Sequence, residues 1–274
     1  MSKSFALALG GGGARGLAHI AVVEALDEMG IKPAVVAGTS IGALIGAAYA
    51  AGLSGRDIRR YVISLAHNRA ELFRRLVATR ASTFANLFNI GLGSATLVDA
   101  EKFCEKFLPS EVPDDFGKLA IPLTVVATDL YRRQQMALSS GPLKPALAAS
   151  IALPTMMRPV VIGERVLIDG GATNPLPFDQ VTGRADVVVA VDISGEPTDE
   201  RRDIPNPWEC LLTTVVVMGS AITAEKVKHG APDLIVRPKV GAFRLVDFLQ
   251  ASVILRASEP VKAELKEKLS ALLA

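Results

Sequence analysis

Gly38-Thr39-Ser40-Ile41-Gly42 sets a serine between two glycines, directly after the apolar run Ala34–Ala37 and inside an uncharged stretch that continues to Leu53. A serine in this G-x-S-x-G pattern, at a sharp turn from a buried strand into a helix, is a presented nucleophile. A second reading competes with it. The twenty residues Ala34–Leu53 carry no charge, enough to span a bilayer, and Gly38, Gly42 and Gly46 have the spacing of a helix-packing face. The surrounding elements have to decide.

Upstream, Ser4–Leu9 is a short apolar run followed by Gly10-Gly11-Gly12-Gly13-Ala14-Arg15-Gly16 and then by a helical pattern from Leu17 to Met29, stopped by Gly30. Strand, glycine loop and helix in this order bring free backbone N–H groups and a positive dipole end to one point, which suits an anion. Gly11-x-Gly13-x-x-Gly16 also fits the dinucleotide fingerprint, but that motif needs an acidic residue at the end of the next strand, where this chain has Ala37-Gly38-Thr39-Ser40. A P-loop would need Lys and Ser or Thr after Gly16 and meets Leu17-Ala18. Donation to the oxyanion formed by acyl chemistry at Ser40 is the favoured use of the loop, with nucleotide binding as the alternative.

Downstream, the spacing predicts a helix over Asp99–Leu108, strands at Pro122–Thr128 and Gln134–Leu138, a short helix at Leu143–Ser150, and a hairpin of Pro159–Ile162 with Val166–Ile168 that delivers Asp169-Gly170-Gly171 at a strand end. Val187–Ile193 and Leu234–Val236 read as further strands, Trp208–Lys228 and Leu245–Leu273 as helical, the latter broken near Glu259-Pro260. Alternation of strands and helices decides for the elbow, since a span would pull its strand out of the sheet. Three histidines occur, His19, His67 and His229. The order Ser40…Asp169…His229 formally permits a triad, although a surface role for His229 is favoured.

Gly11-Gly12-Gly13-Ala14-Arg15-Gly16, Gly38-Thr39-Ser40-Ile41-Gly42 and Asp169-Gly170-Gly171 together resemble the patatin-like phospholipase family, in particular its small bacterial single-domain members. Val126–Leu130, Ala149-Ser150 to Pro154 and Asn174-Pro175-Leu176-Pro177 are similar to that family too. The resemblance implies an α/β three-layer sandwich with a central, mostly parallel sheet and helices on both faces. It implies one domain over 1–274, with the motifs in about 4–193 and a helical part in about 205–274. It also implies a Ser–Asp dyad, with Ser40 acylated, Asp169 as base, the N–H groups of Gly11, Gly12 and Gly13 as oxyanion hole, Arg15 fixing the loop, and Gly38 and Gly42 shaping the elbow. The activity so implied is hydrolysis of lipid carboxylic esters, or acyl transfer by the same dyad, with no metal or other cofactor. Asp129 reads as a structural carboxylate.

The remaining composition bounds the partners. The chain has 274 residues, half of them hydrophobic, and 30 basic against 28 acidic side chains, which gives no ground for expecting nucleic acid. Cys104 and Cys210 lack metal or redox spacing and read as buried thiols. Phe5–Leu9 is too short for a secretory core, so a cytoplasmic protein is expected. Arg56–Arg80 holds seven arginines interleaved with apolar residues. A solvated helix face is the favoured reading there, and peripheral contact with an anionic membrane the alternative. Ser82–Thr96 reads as an apolar lid or substrate-channel wall, with ordinary core as the alternative, and the uncharged Leu211–Ala224 as a buried core helix.

Overall fold

The computed structural model describes residues 3–68, 79, 98–196, 204 and 206–274. The expected lid at 82–96 and the arginines at 69, 74, 75 and 80 lie outside the described residues.

Short, mostly apolar runs make the centre of the sheet. β1 (Phe5–Leu9), β2 (Val35–Thr39) and β7 (Val187–Val191) are buried at every position, as parallel strands covered on both faces must be. β1 pairs in parallel with both β2 and β7, β2 with β3 (Leu123–Asp129), and β7 with β8 (Leu234–Val236). Two strands run against this direction, β4 (Gln134–Leu138) and β6 (Arg165–Asp169), both paired with β3; β5 (Val160–Ile162) forms a hairpin with β6 and so runs with the parallel set. Among the described residues the result is an eight-stranded, mostly parallel sheet. The fold is α/β, as expected.

The register on β3 explains how the site forms. β4 pairs with β3 along its whole second half, from Val125 to Asp129, and so occupies one edge. β2 pairs with Leu123–Val126 and β6 with Ala127–Asp129. Both overlap β4 in register, so both lie on the opposite edge and meet there end to end. Thr39 is opposite Val126 and Asp169 is opposite the next residue, Ala127. One strand arrives parallel and the other antiparallel, so their C-terminal ends abut and Ser40 is carried to Asp169.

The two faces of the sheet are covered unequally. Phe5, Leu7, Leu9, Val36, Leu123, Val125, Val189 and Val191 belong to a large core with α1 (His19–Glu28), α2 (Ile41–Ala50), α3 (Gly55–His67), α4 (Ala100–Phe107), α5 (Leu143–Ile151), α7 (Ala251–Ser258) and α8 (Val261–Leu273). The opposite face shows mainly small residues, Ala6, Ala8, Ala37 and Ala190, under Leu176, Phe178 and Val181, with Val227 of α6 (Pro207–His229) packed against them.

α6 corrects one expectation. Only Leu212, Gly219 and Thr223 of its 23 residues are buried, a stripe spaced by seven and four that marks a single contact line. Leu211, Val217 and Met218 are 46%, 62% and 60% exposed. The apolar run is therefore a surface helix, and by length and composition it is apolar enough to cross a membrane. Composition sets hydropathy, and how many neighbours the helix finds sets burial. Cys210 on this helix is exposed, contrary to the expectation of two buried thiols, while Cys104 is buried and its thiol is pushed by desolvation up to about 12.

Candidate active site

The elbow is built by sterics. A Cβ on Gly38 would lie 2.6 Å from Ala43 N and Cα, and one on Gly42 would lie 2.3 Å from the Leu9 carbonyl oxygen, contacts that real side chains do not make. The start of α2 can therefore press against the ends of β1 and β2 only because both positions are glycine. Between them Ser40 is held at φ 56°, ψ −125°, a conformation disfavoured for any residue with a Cβ. Its N–H donates to Ser150 Oγ at 2.8 Å, and the Ser150 hydroxyl donates to Val126 O at 2.6 Å. Ser150 is fully buried and ties α5 to both the elbow and β3. Ser150 falls in the Ala149–Pro154 stretch that resembles the family, and no local pattern in its helix marks this role.

Ser40 Oγ donates to Asp169 Oδ2 at 2.6 Å, and Asp169 Oδ1 accepts from Gly171 N–H at 2.7 Å. Asp169 is 7% exposed. Desolvation raises its carboxyl to about 6, against the opposing hydrogen bonds from Ser40 and Gly171. Such a group is a stronger base than an ordinary aspartate and is still largely ionised at neutral pH.

The glycine loop passes beside the pair, with one change from expectation. Gly11 N–H donates to Pro175 O at 2.9 Å, so this amide is already committed to holding the loop and is not a free oxyanion donor. Gly12 and Gly13 have no such acceptor among the described residues, and both line the cavity that contains Ser40 and Asp169. The Arg15 guanidinium donates to the carbonyls of Phe243 (2.7 Å), Ser194 and Gly241 (3.3 Å), which ties the segment after the glycine loop to residues 194 and 241–243.

The cavity has a volume of about 660 Å³. Its described walls are chiefly apolar, from Ile45 of α2, Val62 and Leu65 of α3, Phe103 and Phe107 of α4, and Phe248 after α6. The three histidines stand elsewhere. His19 is buried, bonds Gly10 O through Nε2 at 2.8 Å and is held by desolvation down to about 4. His67 and His229 are exposed and bond carbonyls of their own helices. Asp129 accepts from Arg132 N–H at 3.0 Å and pairs with Arg165 at 3.2 Å, so it closes the turn after β3. Arg59 pairs with the buried Glu24 and with Glu259, and Arg60 with Asp57, so Arg59 joins helices and does not face outward. Among the described residues no three His, Cys, Asp or Glu side chains are grouped to hold a metal ion.

The family model for patatin-like phospholipases matches residues 7–182. The chain belongs to the patatin-like phospholipase family. Among its relatives, an uncharacterised NTE family protein of Mycobacterium tuberculosis is 36% identical over 223 residues, covering 81% of this chain and 58% of that protein. A lysophospholipase of Coccidioides immitis is 26% identical over 290 residues, covering 97% of this chain and 18% of that protein. The chain thus spans little more than half of the first relative and less than a fifth of the second. VipD of Legionella pneumophila superposes with a TM-score of 0.49 at 15% identity, over 97% of this chain and 67% of that one. Within the patatin-like family match fall the glycine loop, the elbow, Ser150 and the Asp169 turn; α6, α7 and α8 lie beyond it.

Proposed function

We propose that this chain is a serine acyl hydrolase of lipid carboxylic esters that works through an acyl-enzyme on Ser40, with Asp169 as general base. The observation that carries the reading is the 2.6 Å hydrogen bond from Ser40 Oγ to Asp169 at the wall of a large apolar cavity. Membership of the patatin-like phospholipase family supports a lipid as substrate.

In the first half-reaction Ser40 Oγ attacks the ester carbonyl carbon while its proton passes to Asp169. The carbonyl oxygen becomes an oxyanion, for which the N–H groups of Gly12 and Gly13 are the available donors; one such donor is worth about 3–4 kcal/mol in the transition state. Collapse breaks the ester C–O bond, and the leaving alcohol takes the proton from Asp169. In the second half-reaction water attacks the acyl-enzyme, gives its proton to Asp169, and Ser40 leaves with that proton as the fatty acid departs. One carboxyl serves as base and then acid in each half, so no histidine is required. Apolar walls take the acyl chain and limit water, which strengthens the short-range electrostatics on which an aspartate base depends.

The test is labelling of the intact protein with a fluorophosphonate, followed by peptide mapping and by fatty-acid release from a panel of phospholipids and lysophospholipids. Labelling at Ser40 with fatty-acid release supports the reading. Absence of labelling, or labelling at another serine, overturns it.

A further inference from the structure

The Ser40–Asp169 pair is assembled from the ends of β2 and β6 and a loop after β1, three pieces that need a common reference. The backbone at 174–175 contacts all three. Thr39 Oγ1 donates to Asn174 O at 2.8 Å, Gly11 N–H donates to Pro175 O at 2.9 Å, and Asn174 N–H donates to Gly170 O at 2.8 Å. The Thr39 methyl fills the space between two of them: a Cβ on Gly11 would lie 3.4 Å from it and one on Gly170 3.2 Å. The elbow, the oxyanion loop and the turn carrying the acid are therefore all keyed to Asn174 and Pro175.

Asn174 is fully buried, and both ends of its side-chain amide are hydrogen-bonded. Nδ2 donates to Gln135 Oε1 at 2.8 Å and to Asp179 Oδ1 at 2.9 Å, and Oδ1 accepts from Lys226 Nζ at 2.5 Å. Lys226 also pairs with Asp179, and its ammonium lies 5.0 Å from the centre of the Phe178 ring. This lysine comes from α6, outside the stretch matched by the family model.

We propose that Lys226 is a positioning residue for the Ser40–Asp169 pair: its ammonium fixes the Asn174 amide and, through the Asn174 carbonyl, the Thr39 hydroxyl and the elbow. The proposal rests on the reading of Ser40 as nucleophile. An amide oxygen facing an ammonium has one orientation, because turning the amide would set its NH2 against the cation. Without the ammonium the Asn174 oxygen and the half-buried Asp179 carboxylate both lose a partner, and the 170–177 segment is free to shift. A misplacement of about 1 Å at reacting groups costs on the order of 100-fold in rate.

The test uses the full chain with Lys226→Met, Lys226→Arg, Thr39→Val and the Lys226→Met/Thr39→Val double variant. Hydrolysis of a p-nitrophenyl ester and the rate of fluorophosphonate labelling at Ser40 are read for each. Lys226→Met and Thr39→Val are each expected to lower kcat and the labelling rate by about 10- to 100-fold with KM within about twofold. Lys226→Arg should recover most of that loss. The double variant should be no slower than the slower single, because both break one path. Losses that multiply in the double variant, a loss confined to KM, or Lys226→Met labelling at the wild-type rate would overturn the proposal. If Lys226→Met does not fold, Thr39→Val at wild-type kcat overturns it alone. A wild-type chain that is never labelled at Ser40 removes the functional reading and this proposal together, a different signature from wild-type labelling that the variants leave untouched.

Discussion

Replacing Asp169 by Asn should abolish turnover and yet stabilise the protein at neutral pH. The carboxyl titrates near 6 in the folded chain against an ordinary value of 3.8, so the fold prefers its protonated form. Between those values the native state holds a proton that the unfolded chain has lost, and stability falls as pH rises; below 3.8 there is no penalty, and above 6 it is complete. At about 1.4 kcal/mol per pH unit the full penalty is on the order of 3 kcal/mol. Asn removes the charge and keeps the geometry. Its Oδ1 can accept from Gly171 N–H, and its Nδ2 can donate to Ser40 Oγ, which reverses the polarity of the bond now running the other way. At about 2 °C per kcal/mol for a chain of this size, the variant should melt about 6 °C above wild type at pH 8 and level with it near pH 4. His19 must be kept apart in this measurement. Its folded value of about 4 against 6.5 makes the protein lose stability as pH falls through almost the same range, so wild-type melting alone reports both groups and only the difference between variant and wild type isolates Asp169. Differential scanning calorimetry from pH 4 to 8 reads it. A difference that does not change with pH, or a variant that is less stable at pH 8, would refute the reasoning that a buried, destabilised anion is being maintained at this site.

Three further outcomes follow from the same geometry. The acid limb of kcat/KM for a soluble p-nitrophenyl ester should have its midpoint near 6, where Asp169 loses its proton; a limb near 4 would indicate a solvated carboxyl. Ser40→Ala and Ser40→Gly should both be inactive, but the glycine variant should be the more stable by about 1 kcal/mol in urea unfolding, because only glycine relaxes at φ 56°; equal stability would mean the elbow is unstrained. His229→Ala should change kcat by less than twofold, since that side chain is 76% exposed and bonds its own helix. A loss comparable to that of Ser40→Ala would restore a triad.

What could be read from the sequence and what could not divide along a physical line. β1, β2 and β7 were legible because strands buried on both faces are written as uninterrupted apolar runs. Gly38 and Gly42 were legible because close backbone approach, of Gly38 to Ala43 and of Gly42 to the Leu9 carbonyl, leaves glycine as the residue that fits. The Ser40–Asp169 contact was not carried by the residues alone. It depends on β2 and β6 meeting end to end along one edge of β3, a register that no local pattern encodes, and the family resemblance supplied the pairing. Hydrogen-bond commitments were hidden for the same reason. Nothing in a run of glycines tells which amide is free, and Gly11 differs from Gly12 only because Pro175, more than 160 residues later in the sequence, brings a carbonyl to it. α6 failed in the opposite direction. Its composition is that of a core helix, and its burial was set by how few of the described elements reach it. Lys226 lies on this same helix, which supplies a polar contact to the brace behind the elbow and leaves most of its own apolar surface uncovered. A helix recruited for one buried stripe and one ammonium has no need of the amphipathic pattern that would have announced its orientation.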